Sequence, residues 1–189
     1  MSPNLAPIRL VPLVCVKCQS PIPALPSEVA WVCQQCGQGL VINLNPGGGP
    51  GETAACALDV FFSKDISPGA RGRPFWVTRA RVTFTERTTY KGDEGRAAQE
   101  YWSVPRLFYI PAWESTLDEI IATGVMLIKN SPVMSAGGRA PFSPVVTPPG
   151  DVRALAEFIV VSIEAERRDY LKTIRFNLEY ETPQLWVLP

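Results

Sequence analysis

Residues 15–37 read CVKCQSPIPALPSEVAWVCQQCG: two CxxC pairs, Cys15/Cys18 and Cys33/Cys36, separated by fourteen residues. Two such pairs at this distance predict one tetrahedral site in which four thiolates hold a single structural Zn2+. Each CxxC can close a tight knuckle whose backbone N–H groups turn toward the sulfurs and stabilise their charge. Gly37 follows the second pair and suits a knuckle that needs a positive φ. The first pair is followed by Gln19 and Ser20, with no glycine to help. Pro21, Pro23 and Pro26 make an extended connector, Val29–Val32 reads as a strand entering the second knuckle, and Leu40–Ile42 reads as one leaving it.

Four protein thiolates leave no open position for a water, and the chain has no histidine to offer another ligand, so the expected role of the metal is structural rather than catalytic. Disulfides are the competing reading in an exported protein. A CxxC redox centre needs a thioredoxin-like βαβ context that this segment lacks. The arrangement over about residues 10–44 resembles the zinc ribbon, a small β module with two knuckles clamping one metal. That resemblance implies fold and metal but no activity, because zinc ribbons serve in transcription, translation and replication proteins and also as plain structural modules. A rubredoxin-like iron site uses two CxxC pairs as well, normally much farther apart in a larger fold. Aromatic phrases farther on, such as Phe75-Trp76, Phe108–Trp113 and Leu185–Pro189, are similar to ones in uncharacterised bacterial proteins headed by a zinc ribbon.

Outward from this segment, the organisation is read as a ribbon at 1–44, a linker at 45–52 and an α+β body at 53–189. The linker NPGGGPGE lacks the GK[ST] ending of a phosphate loop and the GxGxxG spacing. The 189 residues are 46% hydrophobic and 19% charged, in the range of folded globular proteins, and 19 prolines predict several irregular connections. Formal net charge is zero, which argues against wholesale phosphate neutralisation. Pro7 and Pro12 interrupt the apolar stretch 8–16, so no export signal is expected there, and no run reaches the length of a membrane span. A cytoplasmic location is the expectation. Cys56, alone in AACAL, reads as a core thiol.

In the body, alternation of Trp76, Ala80, Val82, Phe84 and Tyr90 with polar neighbours predicts a half-buried strand over 75–90. A turn at 91–95 and a returning antiparallel strand over 97–110 complete the expected hairpin. Its register sets Phe84 against Trp102 and Glu86 against Glu100, a like-charge pair that predicts a shift or a bulge. Two helices are expected. One starts at Ser115 as N-cap and ends near Gly124; the other is capped by Asp151 and runs to about Arg168. Phe158, Val160 and Val161 widen the apolar surface of the second beyond one stripe. Between the helices lies Ser131–Gly150, a Pro/Gly/Ser-rich connection longer than usual. It is expected to be functional, ordered by a partner, or mobile. Strands at 173–180 and 184–188 close an α+β fold with an antiparallel sheet.

For function, the segment 70–91 concentrates Arg71, Arg73, Arg79, Arg81, Arg87 and Lys91 against Glu86. With aromatics nearby, Arg79, Arg81 and Arg87 are the candidate contacts to an anion or a nucleic acid; a solvated face paired with acids elsewhere is the plainer reading. Enzyme chemistry is not expected, since there is no histidine and no nucleophile motif. Asp118/Glu119 and Glu164/Glu166 diverge around their helices and read as solvated surface. The expectation is a non-enzymatic zinc-ribbon subunit that binds a protein partner or itself, with nucleic-acid binding as the alternative.

Overall fold

The computed structural model describes residues 13–43, 54–92 and 94–189, so the linker 45–52 lies outside the described residues. The chain divides into two compact units, Met1–Asp59 and Val60–Pro189, and the fold is α+β.

In the first unit, β1 (Ala30–Val32), β2 (Gly39–Asn43) and β3 (Ala54–Leu58) form an antiparallel sheet in the order β1-β2-β3. β1 enters the second knuckle and β2 leaves it, with Trp31 opposite Leu40. A small core of Cys15, Trp31, Cys33 and Leu40, lined by Leu13, Ile22 and Ile42, sits behind the cysteines. Glu28 fixes the approach to β1 by accepting from the Leu25 N–H at 2.7 Å and the Trp31 indole N–H at 3.0 Å. The half-buried Cys56 stands opposite Val41. The run 54–62 is divided between two sheets: Ala54–Leu58 pairs with β2, and Val60–Phe62 joins the body sheet.

The body is organised around β5 (Arg73–Thr89), a 17-residue strand with different partners along its length. On one edge its first half pairs with β6 (Arg106–Pro111). On the other edge it pairs first with β8 (Gln184–Leu188) and then, from Ala80 onward, with β7 (Leu171–Tyr180). β4 (Val60–Phe62) adds to β8 in parallel, so the sheet is mixed where all-antiparallel pairing was expected. Buried Trp76, Ala80, Val82, Phe108, Ile110, Leu185 and Val187 supply the core.

The expected hairpin partner of β5 is not the neighbouring segment. Residues 95–102 form α1 (Gly95–Trp102), a third helix beyond the two expected, which buries Ala98 and Trp102 one turn apart. Ala97, Ala98, Gln99 and Glu100 are good helix formers, and Ala98 and Trp102, four apart, lie on one face of the helix. The far half of β5 is then left for β7, and Glu86 faces Arg175 at 3.2 Å rather than Glu100. A bulge does occur, between Phe84 and Glu86, but in the ladder with β7.

The second helix, α2 (Leu117–Lys129), begins one residue later than expected. Thr116 caps it in a reciprocal box with Glu119: the Glu119 N–H donates to Thr116 Oγ1 and the Thr116 N–H donates to the Glu119 carboxylate. These bonds hold the Glu119 carboxyl below its usual range, the backbone donor first. Gly124 does not end α2 but lies inside it, where it lets α3 (Val152–Ala165) come close. A Cβ at this position would stand 2.2 Å from Ile159 Cδ1 and 3.3 Å from the Tyr109 carbonyl oxygen. Asp151 makes no side-chain cap to α3, which follows directly on a 3-10 turn over Pro149–Asp151.

The long connection 131–150 is ordered by the chain itself. Lys64 N–H donates to Ser135 O, Gly72 N–H to Pro141 O, and Ser143 N–H back to Gly72 O. The buried Trp76 indole donates to Thr147 O at 2.8 Å. These bonds lash the segment to the end of β4 and the start of β5 as a strap.

Gly124→Ala should lower body stability by about 1–3 kcal/mol, because a methyl group is forced into the α2–α3 contact. Denaturant unfolding followed by far-UV circular dichroism measures it. An unchanged midpoint would mean that Ile159 repacks freely.

Candidate metal centre

The two knuckles share one backbone design. Cys15 O accepts from Gln19 N–H and Cys15 N–H donates to Ser20 O; Cys33 O accepts from Gly37 N–H and Cys33 N–H donates to Gln38 O, all at 2.8–2.9 Å. The residue four past the first cysteine is left-handed in both, with φ of 61° at Gln19 and 73° at Gly37. Glycine makes that conformation free in the second knuckle. In the first, a glutamine is held there against a cost of about 1–2 kcal/mol.

This geometry brings the four Sγ atoms within 4.8 Å of one another. Cys15 and Cys36 sulfurs are 3.5 Å apart, and Cys18 and Cys33 sulfurs 3.6 Å. Metal–sulfur bonds of about 2.3 Å in a tetrahedron require sulfur separations near 3.8 Å, so the cluster has the dimensions of a single-ion site. Two of the thiols are already biased toward ligation. Hydrogen bonds from the Ser20 side chain and then its backbone bring Cys18 down to about 6, and the Cys36 N–H lowers Cys33. Cys36 goes the other way, to about 11. The Gln38 N–H lowers it, but burial and the three neighbouring sulfurs outweigh that donor. Four thiols this close cannot all ionise without a cation, and a divalent ion at the centre supplies the missing charge. The first unit therefore presents four cysteines positioned to bind one metal ion.

The other predicted site residues are not gathered into one surface. Arg79 and Arg81 are exposed on β5, but Arg81 stands opposite Glu179 in the ladder and the Arg79 carbonyl accepts from Glu181 N–H. Arg87 is withdrawn from solvent, its side chain 7% exposed. Its Nε donates to Glu164 Oε2 at 2.9 Å, and its two terminal nitrogens grip Asp169 at 2.7 and 3.0 Å. Of the basic run, Arg87 is thus paired with acids of other elements, Glu164 and Asp169, while Arg81 donates to the Ser103 carbonyl at 3.4 Å.

Glu164 corrects the expectation of a solvated acid: it is fully buried. Beside Arg87 it accepts from the Trp102 indole at 2.8 Å and from Arg167 Nε at 2.8 Å. Asp169 also accepts from the Glu94 N–H. The Arg87 bonds, first among several, hold the Asp169 carboxyl below its ordinary range. Sequence carried one faint sign of this network. Glu164 lies one position beyond Ile163 on the buried side of α3, where only a paired acid is tolerated.

No protein-family model, curated protein or solved structure matches the chain. The site and the fold therefore define it by themselves, as an α+β protein whose first unit carries a four-cysteine metal-binding cluster.

Two outcomes test these arrangements. Gly37→Ala should weaken metal retention against a chromophoric chelator by about 1–2 kcal/mol, whereas Gln19→Gly should not weaken it. Arg87→Met should destabilise the body by about 3–5 kcal/mol, since it leaves the buried Asp169 without a cation and Glu164 with Arg167 alone. The Asp169 contribution has a defined sign in pH. Its folded value lies below the unfolded one, about 3.9, so the stabilisation is complete above that value and disappears as pH falls through the folded value. Acid titration of the unfolding midpoint should lose this component in Arg87→Met.

Proposed function

We propose that this protein is a non-enzymatic zinc-ribbon subunit, with one structural Zn2+ at Cys15, Cys18, Cys33 and Cys36, and that its body docks another protein. Support for zinc comes from the donor set: four thiolates at tetrahedral spacing, closed to water. No helix among the described residues is long and apolar enough to cross a membrane.

The observation that carries the docking role is the outward face of α3. Ala154, Phe158, Val161 and Ala165 recur at i, i+4, i+7 and i+11 and are all exposed, Phe158 at 48% and Val161 at 37%. The expected widening of this helix thus divides: Val160 is buried against the body, and the other two point away from it. A line of apolar side chains on a helix whose opposite face is already buried fits a partner surface of the helix-in-groove kind. The ribbon, closed to chemistry, fits a second contact surface or a rigid brace.

Native mass spectrometry of the full chain should find one zinc per molecule, and Cys18→Ser should lose it. Cross-linking in extracts of the native source should capture a protein partner, and Phe158→Glu should abolish capture without shifting the body's unfolding midpoint. Bound iron, cysteines paired as disulfides, or capture indifferent to Phe158→Glu would each overturn the corresponding part of the reading.

A further inference from the structure

β7 is a ten-residue strand with one edge laddered to β5, and among the described residues no strand pairs with its other edge. The two ends of that open edge are blunted. At the start, the ladder slips by one residue on β7 between Leu171 and Thr173, placing the exposed Lys172 in a bulge. Bulges and edge lysines are the usual devices against strand addition. At the far end, Pro183 cannot donate a ladder bond. Between them Thr173–Tyr180 carries no inserted residue of its own, since the bulge opposite Phe176 and Arg175 lies on β5.

The pattern on this stretch is two-sided. Arg175, Asn177 and Glu179 are exposed on one face. Ile174, Phe176 and Leu178 lie on the other, with Tyr180 beyond them beneath the Arg153 guanidinium at 5.9 Å. A two-fold axis normal to the sheet would pair this edge antiparallel with itself and keep like faces together. That requires cross-strand partners of the same parity. Centring on Arg175 would place two arginines opposite each other. Centring on Asn177, near the middle of the regular stretch, sets Arg175 against Glu179 of a second copy in both directions. It also sets Ile174 against Tyr180 and Phe176 against Leu178, so the apolar face continues across the junction.

Charges inside each copy extend the match. Arg175 already bonds Glu86, and Glu179 stands opposite Arg81. Across the junction the row reads Glu86, Arg175, Glu179, Arg81, alternating in sign over four strands.

We propose that the open edge of β7 pairs antiparallel with the same edge of a second copy, centred on Asn177, joining two body sheets into one. This rests on the assembly reading above but uses a different surface from the α3 stripe, so the two can fail separately. The partner is a second copy because the edge complements itself in both charge and apolar pattern.

Light scattering of the full chain over a concentration series at low salt tests it. Wild type should be a dimer. Glu179→Arg and Arg175→Glu should each weaken the dimer by about tenfold or more, because both junction pairs turn repulsive at once. An equimolar mixture of the two variants should restore it, since all arginines then face all glutamates. Amide exchange over residues 174–180 of wild type should slow as concentration rises, a readout independent of any variant's folding. A monomer at every concentration, a dimer indifferent to both reversals, or exchange independent of concentration overturns the proposal. A wild-type monomer that still captures a partner through Phe158 would overturn self-pairing and leave the assembly reading standing.

Discussion

The Arg87 guanidinium sits where four parts of the body meet, and their arrangement depends on it. It reaches from β5 to Glu164 at the end of α3 and to Asp169 in the turn before β7. Through Glu164 it is tied to Trp102 of α1, and through Asp169 to the backbone at Glu94. Each carboxylate is buried; Asp169 has Arg87 as its cation, and Glu164 shares Arg87 with Arg167. A buried pair of this kind adds little net stability over an apolar substitute, but it admits one arrangement of its partners. The return from α3 into β7 shows the effect. Tyr170 is held at φ 52°, an unusual conformation for an aromatic residue, while the carbonyls of Asp169 and Tyr170 accept from Lys91 and Tyr90. That turn sets where β7 begins and thereby its register along β5.

This constraint also explains what was legible in the sequence. Local signals were read correctly: the alternation of β5, the apolar faces of α2 and α3, and the two closing strands lie close to where their patterns place them. The four cysteines carried their own geometry, because knuckle hydrogen bonds span only four or five residues. What could not be read was long-range partnership. β5 takes its far partner from a strand about ninety residues later, and a hairpin with the next segment is the natural local expectation. Glu164 reads as surface because it and Glu166 diverge around the helix; Glu166 is indeed exposed, paired with Lys129. The burial of Glu164 rests on donors that include Arg87 and Trp102 from other elements, together with Arg167 beside it.

The strap at 131–150 and Gly124 illustrate the same limit from opposite sides. Proline-rich composition announced an irregular segment, and it is irregular, but composition is silent about whether main-chain groups find partners. Here they do, on the first residues of β5 and the last of β4 and β6. Glycine in a helical pattern is ordinarily a candidate terminus. In α2 its missing side chain serves packing instead, since Ile159 occupies the space a Cβ would need. Neither distinction exists until another element arrives.

The two units solve the problem of order by different means. The first has a handful of buried side chains, two of them cysteines of the metal-binding cluster, and so small a core gains from a cross-link. Its knuckles hold the thiols in place, while the crowding that lifts Cys36 makes the assembled cluster favourable chiefly when a cation is present. The body carries its cation covalently, as Arg87, and closes its own charge balance inside the core. At its periphery a line of apolar side chains on α3 is exposed and, among the described residues, one edge of β7 pairs with no strand. In a protein whose interior charges are matched so closely, such open groups are the surfaces on which assembly can act.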